Sequence, residues 1–189
     1  MTPAMHAAIL IARARRPIRR LLRDKRGVSA VEFAMLLPLM VTLYLGGVEV
    51  SQAVAIDRKV TLLARSLGDL VAQATTVTNS DMTNILNATT AIIVPYDDAK
   101  LKITVSSVTI DANSVAKIAW SDTKNGTART VGSTVTLPTA LNTPSSSLIW
   151  AESEYAYTPT IGYVITGTMN LKDQIYMRPR LSDTVARTP

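Results

Sequence analysis

The stretch from Val28 to Val50, VSAVEFAMLLPLMVTLYLGGVEV, limits what this chain can fold into. Its 23 residues carry acids only at Glu32 and Glu49, and Phe33 to Val48 holds no charge at all. A helix rises about 1.5 Å per residue, so a stretch of this length crosses a hydrocarbon core of about 30 Å. We read residues 28–50 as a transmembrane segment. Residues 1–27 hold eight Lys and Arg and one acid, a formal +7, and the remainder holds twelve bases and thirteen acids, a formal −1. The chain's net charge of +6 is therefore a local basic tail. Lys and Arg within 15–20 residues of a span stay cytoplasmic, which places the N-terminus inside and residues 50–189 outside. A nucleic-acid partner is not expected, because that role needs basic residues spread over a folded face.

Glu32 is the anomaly in this segment. A carboxylate inside a membrane helix costs roughly 2.5–3.5 kcal/mol and less near the edge. If the chain were cut after Gly27, a new amino group would sit on Val28, with Glu32 fifth in the product. An α-amine on one helix and a carboxylate on another would then form an intermolecular ion pair. The competing reading puts Glu32 at headgroup level, where it needs no partner. Ala30 and Ala34 have small-xxx-small spacing, which admits close approach of a second helix. They are equally compatible with membrane filler. Pro38 removes one backbone bond and predicts a bend, and Gly46-Gly47 is a second soft point.

A basic run, then Gly27, then V-S-A-V-E-F-A with Glu32 at the fifth place and Phe33 after it, resembles a type IV prepilin cleavage site. The longer string RGVSAVEFAMLLPLM, with Pro38 five residues after Phe33, resembles the TadE/TadG-like pseudopilins of tight-adherence pilus systems. YAYTPTIG and YMRPRLS are similar to that family's closing segment. The resemblance implies a leader over 1–27, from either Met1 or Met5, removed between Gly27 and Val28 by a dedicated prepilin peptidase. Gly27 would leave the scissile backbone free of a side chain. Glu32 would be the subunit-pairing acid, and Phe33, Ala30, Ala34 and Pro38 would pack the helix against its neighbours. The implied partners are the prepilin peptidase, other pilins or pseudopilins, an inner-membrane assembly platform and membrane lipid. The implied location is the bacterial inner membrane, with a periplasmic C-terminal domain and the option of entry into a pilus. The alternative is an uncleaved single-span anchor that presents a binding or adhesin module. An ordinary secretory signal ending at Ala53-Val54-Ala55 fits less well, because the apolar run is long and the helical pattern continues beyond it. Twin-arginine export is weaker still, since Ile18 stands before Arg19-Arg20 where Ser or Thr is usual.

Residues 51–73 continue a helical pattern, with Val48, Gln52, Ala55, Ile56, Leu62, Leu63, Leu67, Leu70 and Val71 on one side. Asp57, Arg58, Arg65 and Asp69 fall on the other, and Arg65 and Asp69 have i,i+4 spacing. One helix is predicted from Val28 to Gln73, its second half packed on an outer domain of residues 74–189. A second helix is predicted from Asp81 to Ile92, capped by Ser80 or Asp81 and stopped at Pro95, with Ile85, Leu86, Ala88 and Ile92 as its stripe. From Leu101 the period becomes two, with Leu101, Ile103 and Val105 facing one way and Lys102, Thr104 and Ser106 the other. Asn125-Gly126 predicts a hairpin that sets Asp122 against Arg129 and Trp120 against Val131. Residues 136–147 read as a polar loop, 148–159 as a strand, 158–171 as a loop or short strand, and 173–180 as the last strand, with Pro179 at its end or edge. The predicted fold is α+β, pilin-like under the resemblance: a long N-terminal helix on an antiparallel sheet of about four strands.

Residues with catalytic chemistry are sparse. His6 is the single histidine and falls in the leader, and there is no cysteine, so the domain gets no disulfide and depends on its core. These counts remove the common nucleophile–His pairs and nearly every zinc set. Glu152 and Glu154 share a strand face and read as solvated. Asp97-Asp98 reads as a turn, with calcium a weak option. No catalytic residue, cofactor, metal or small-molecule substrate is expected. A membrane-tethered enzyme is disfavoured by the same inventory.

Overall fold

The computed structural model describes residues 26–159, 161–162 and 166–189. Residues 1–25 of the basic leader, His6 among them, lie outside these, as does part of the 158–171 segment. Helix α1 is continuous over Arg26–Ala72, through Pro38 and both Gly46 and Gly47. The described residues fall into two compact units divided at Gly47/Val48. In the first, from Gly27 to Val41, every described side chain is exposed.

The second unit, Val48 to Pro189, holds the hydrophobic core. Strands β2 (Leu101–Ile110), β3 (Ala116–Lys124), β4 (Ser146–Tyr157) and β5 (Met169–Met177) form one antiparallel sheet in the order β3-β2-β4-β5. The second half of α1 lies on one face of it. The buried stripe is Ala53, Ile56, Val60, Leu63, Ala64, Leu67 and Val71. This is narrower than the predicted side and rotated from it: Gln52, Ala55, Leu62 and Leu70 are exposed. The reason is close approach, since Ala53, Ala64 and Gly68 let the helix backbone come near the strands. A Cβ on Gly68 would lie 3.3 Å from Ile175 Cγ2 and 3.4 Å from Ala151 Cβ. Ser153, 2% exposed, donates its hydroxyl to Val60 O at 2.7 Å and ties helix to sheet.

Helix α2 spans Asn79–Thr90, two residues earlier than predicted. Its cap is Thr78, not Ser80 or Asp81. Thr78 Oγ1 accepts from Asp81 N at 3.1 Å, and Asp81 Oδ2 accepts from Thr78 N at 3.0 Å. Asp81 thus serves as the third residue of a capping box. Its carboxyl is held below the usual range, first by the Thr78 hydroxyl and then by the Thr78 N–H. Met82 and Leu86 carry the buried side of α2, and Ala88 is exposed. Just past the helix, Lys59 Nζ donates to Ile92 O at 2.8 Å and Val94 O at 2.7 Å, so an α1 cation gathers the carbonyls that close α2. Asp69 contacts Arg180 and Gln73, contrary to the local pair predicted with Arg65.

The predicted Asn-Gly hairpin does not form. The β2–β3 turn is 111–115, where Asp111 Oδ1 accepts from Asn113 N at 2.8 Å and Val115 N at 2.9 Å. Asn125, at φ 57°, ends β3 and donates its amide to Asp98 O and Leu101 O. The chain returns to the β3 backbone at residues 132–135, beside Ile118 and Ala116. Neither predicted cross-strand pair forms, and Asp122, Arg129 and Trp120 find distant partners while Val131 is exposed. Asp122 binds Arg187 at 2.9 Å, Arg129 binds Glu152, and Trp120 Nε1 donates to Val185 O at 2.7 Å. A bulge explains the break in alternation. Trp120 pairs with Ser107 while Ile118 pairs with Val108, so these two β3 side chains face opposite sides of the sheet.

The sheet face away from α1 carries its own small core of Val108, Ile110, Ala116, Ile118, Leu137 and Leu148. Leu137, in the loop read as polar, helps to close it. The C-terminal residues return across the end of α1: Arg180 N donates to Ala72 O, and β6 (Ala186–Arg187) pairs in parallel with β1 (Thr76–Val77).

Candidate functional site

Two sets of residues are candidates. The first is the N-terminal part of α1. Gly27 has open space where a Cβ would stand. Val28 and Phe33 are 56% and 58% exposed, and Ala30, Glu32 and Ala34 are exposed with them. By helical periodicity Glu32 stands one turn beyond Val28 on the same flank, and Ala30, Ala34 and Pro38 form an i,i+4,i+8 row on another. Pro38 has no N–H, so the Ala34 carbonyl loses its intrahelical donor. Thr42 donates its hydroxyl to Pro38 O at 2.8 Å, which satisfies the hydroxyl within the helix. Fifteen successive exposed and nearly uncharged side chains are not a soluble surface; they require lipid or other helices around them.

The second set is the polar part of the sheet face opposite α1. Register stacks it in rows across the strands: Lys102–Glu154–Lys172, then Thr104–Glu152–Gln174, then Ser106–Trp150–Tyr176. Glu152 and Glu154 do share this face, as predicted, and each has cationic partners. Glu154 lies 3.1 Å from Lys172 Nζ and 3.9 Å from Lys102 Nζ, and Glu152 pairs with Arg129. The Arg129 guanidinium also sits 3.6 Å from the centre of the Trp150 ring, and Trp150 stacks on Tyr176 at 5.3 Å. Burial, with Glu152 nearby, pushes the Tyr176 hydroxyl above its ordinary pKa. The Arg129–Trp150–Tyr176 assembly was not legible in sequence, because three separate segments contribute to it. Asp97 caps a turn by accepting from Ala99 N at 3.0 Å, and Asp98 faces Lys124 at 3.9 Å, so both acids are occupied as turn and ion-pair groups.

Glu49 closes the charge-free run and is 1% exposed, a burial the sequence reading missed. Tyr157 donates its hydroxyl to Glu49 O at 3.2 Å. Burial raises the Tyr157 pKa, and the Glu49 charge adds to the rise.

Residues 27–66 match the family model of TadE-like proteins. That segment is TadE-like. The match begins at Gly27, takes in Glu32 and Pro38, and ends inside α1. Over that segment the chain is similar to TadE-like proteins, and the helix it lies in is long and apolar enough to cross a membrane. No curated protein and no solved structure matches the chain.

Proposed function

We propose that the chain is a pseudopilin or minor pilin of a tight-adherence pilus system. A prepilin peptidase cuts it between Gly27 and Val28, and α1 anchors it in the inner membrane with the sheet domain outside. The observation that carries this reading is the TadE-like match, which starts at the glycine itself and covers the exposed apolar helix. The open surroundings of Gly27 suit a protease that must reach the main chain. Once the basic leader is gone, the Val28 amine of one copy pairs with Glu32 of a neighbour, and the Ala30–Ala34–Pro38 row gives neighbouring helices a close seat. The partners are other pilins or pseudopilins, the assembly platform and lipid, and the protein has no catalytic role of its own.

The test is the intact mass and N-terminal sequence of the protein from cells with and without the prepilin peptidase. A product that begins at Val28 only when the peptidase is present supports the reading. A chain that keeps residues 1–27 in both strains leaves an uncleaved anchor and overturns it. With processing established, Glu32→Gln should insert and be cut normally yet fail in assembly.

A further inference from the structure

The assembly reading makes no use of the polar half of the sheet face opposite α1. Leu137, in the loop after β3, closes the apolar half of that face. The first residues of the same loop stand along the polar half as a wall. Gly126 lets the wall sit close: a Cβ there would lie 2.7 Å from Thr123 Oγ1 and 3.5 Å from Thr104 Oγ1. Arg129 ends the wall, held by Glu152 and by the Trp150 ring. β5 is the far strand of the sheet, and its Lys172 and Gln174 form the opposite rim. Between wall and rim lies a cleft of about 600 Å³, a size usual for small-molecule sites. Its floor is Thr104 of β2 with Glu152 and Glu154 of β4, and both carboxylates are 27% exposed.

The lining narrows what can fill the cleft. Among the described residues, every side chain that lines it is polar or charged, apart from Gly126. It therefore offers no apolar pocket for the hydrophobic anchor of a peptide or a lipid. Its charges balance, with Lys102, Arg129 and Lys172 against Glu152, Glu154 and Asp173. A charged ligand would have to break one of these ion pairs and leave a member unpaired. Yet the paired groups keep hydrogen-bonding capacity, since a carboxylate has about four lone-pair sites and an ammonium three donors. Gln174 Oε1 accepts from Trp150 Nε1 at 3.1 Å, which leaves the Gln174 NH2 to donate. A suitable ligand must donate to the carboxylates and accept from the cations at closely spaced points, without net charge. Neighbouring hydroxyls on a sugar ring do both.

We propose that this cleft binds a short neutral saccharide. Its hydroxyls donate to Glu152 and Glu154 and accept from Lys102, Lys172 and the Gln174 amide, while the ion pairs stay intact. The site lies wholly within the sheet domain and does not depend on the membrane or pilus reading. The sequence gave no sign of it, because the cations that complete the two carboxylates come from β2, β5 and the loop after β3.

The test uses full-length protein in phospholipid nanodiscs, free of sugar-based detergent. The probes are glucose, galactose, mannose and N-acetylglucosamine with their neutral disaccharides, and glucuronate and glucosamine as charged counterparts. Binding is read by saturation-transfer NMR on the sugar protons and by Trp150 fluorescence, which senses Gln174 through their hydrogen bond. At least one neutral sugar should give transfer and bind more tightly than either charged counterpart. Glu154→Ala and Gln174→Ala should each weaken it, the former about tenfold or more, as expected for loss of hydrogen bonds to a charged group. Both positions are on the open face, so near-UV circular dichroism should stay that of the parent. No transfer from any neutral sugar overturns the inference. Tighter binding of glucuronate or glucosamine overturns it as well, as does transfer that both variants leave unchanged.

Discussion

Gly68 sets how close α1 lies to the sheet, and its replacement tests the seating directly. An added Cβ would lie 3.3 Å from Ile175 Cγ2, 3.3 Å from Met177 Sδ and 3.4 Å from Ala151 Cβ. Alanine gains up to about 1 kcal/mol in helix propensity over glycine. Against that, Met177 Sδ can swing aside, whereas Ile175 and Ala151 are fixed on neighbouring strands. The two effects nearly cancel, and Gly68→Ala should stay within about 1 kcal/mol of the parent. Gly68→Leu adds three more carbons where none fits. Overpacking of that kind costs about 1–3 kcal/mol, which for a domain of this size lowers Tm by about 4–10 °C. The assay is thermal unfolding of the full chain in detergent, followed by near-UV circular dichroism, where Trp120 and Trp150 report tertiary packing. A Gly68→Leu variant that melts within about 2 °C of the parent, with an unchanged spectrum, would refute this seating of the helix.

Arg129→Lys should not restore what Arg129→Ala loses. The guanidinium at once pairs Glu152, reaches Ser106 Oγ at 3.4 Å and covers Trp150, which an ammonium cannot do. Both variants should lose about 0.5–1.5 kcal/mol in urea titration and change Trp150 fluorescence. For Asp81, the folded pKa is depressed, so its contribution is present above the unfolded value of about 3.9 and disappears as pH falls through the lower folded value. Melting curves across the acid range should therefore show a pH-dependent fall in Tm that Thr78→Ala flattens, since the Thr78 hydroxyl is the main cause of the depression.

Features set by neighbours in the chain were legible before any fold was known. The length and charge of residues 28–50 specify a helix that a membrane can hold. Period-two alternation in β2 and β4 gives their faces correctly, including Glu152 and Glu154 on one side, because a strand's facing follows from its own backbone geometry. Gly27, Glu32 and Pro38 were readable as a motif because they lie within one short stretch of the chain.

Choices between competing partners belonged to the tertiary structure. Asn125-Gly126 had a plausible local register, yet Asp122 took Arg187 and Arg129 took Glu152. The β3 bulge turned Trp120 toward Val185 and away from Val131. The buried stripe of α1 was decided by which side could approach the sheet closely, which Gly68, Ala64 and Ala53 settled by lacking bulk. In a sequence an apolar residue shows only that it can be buried. Which residues are buried, and which opposite charges meet, depends on distances between segments that only the folded chain defines.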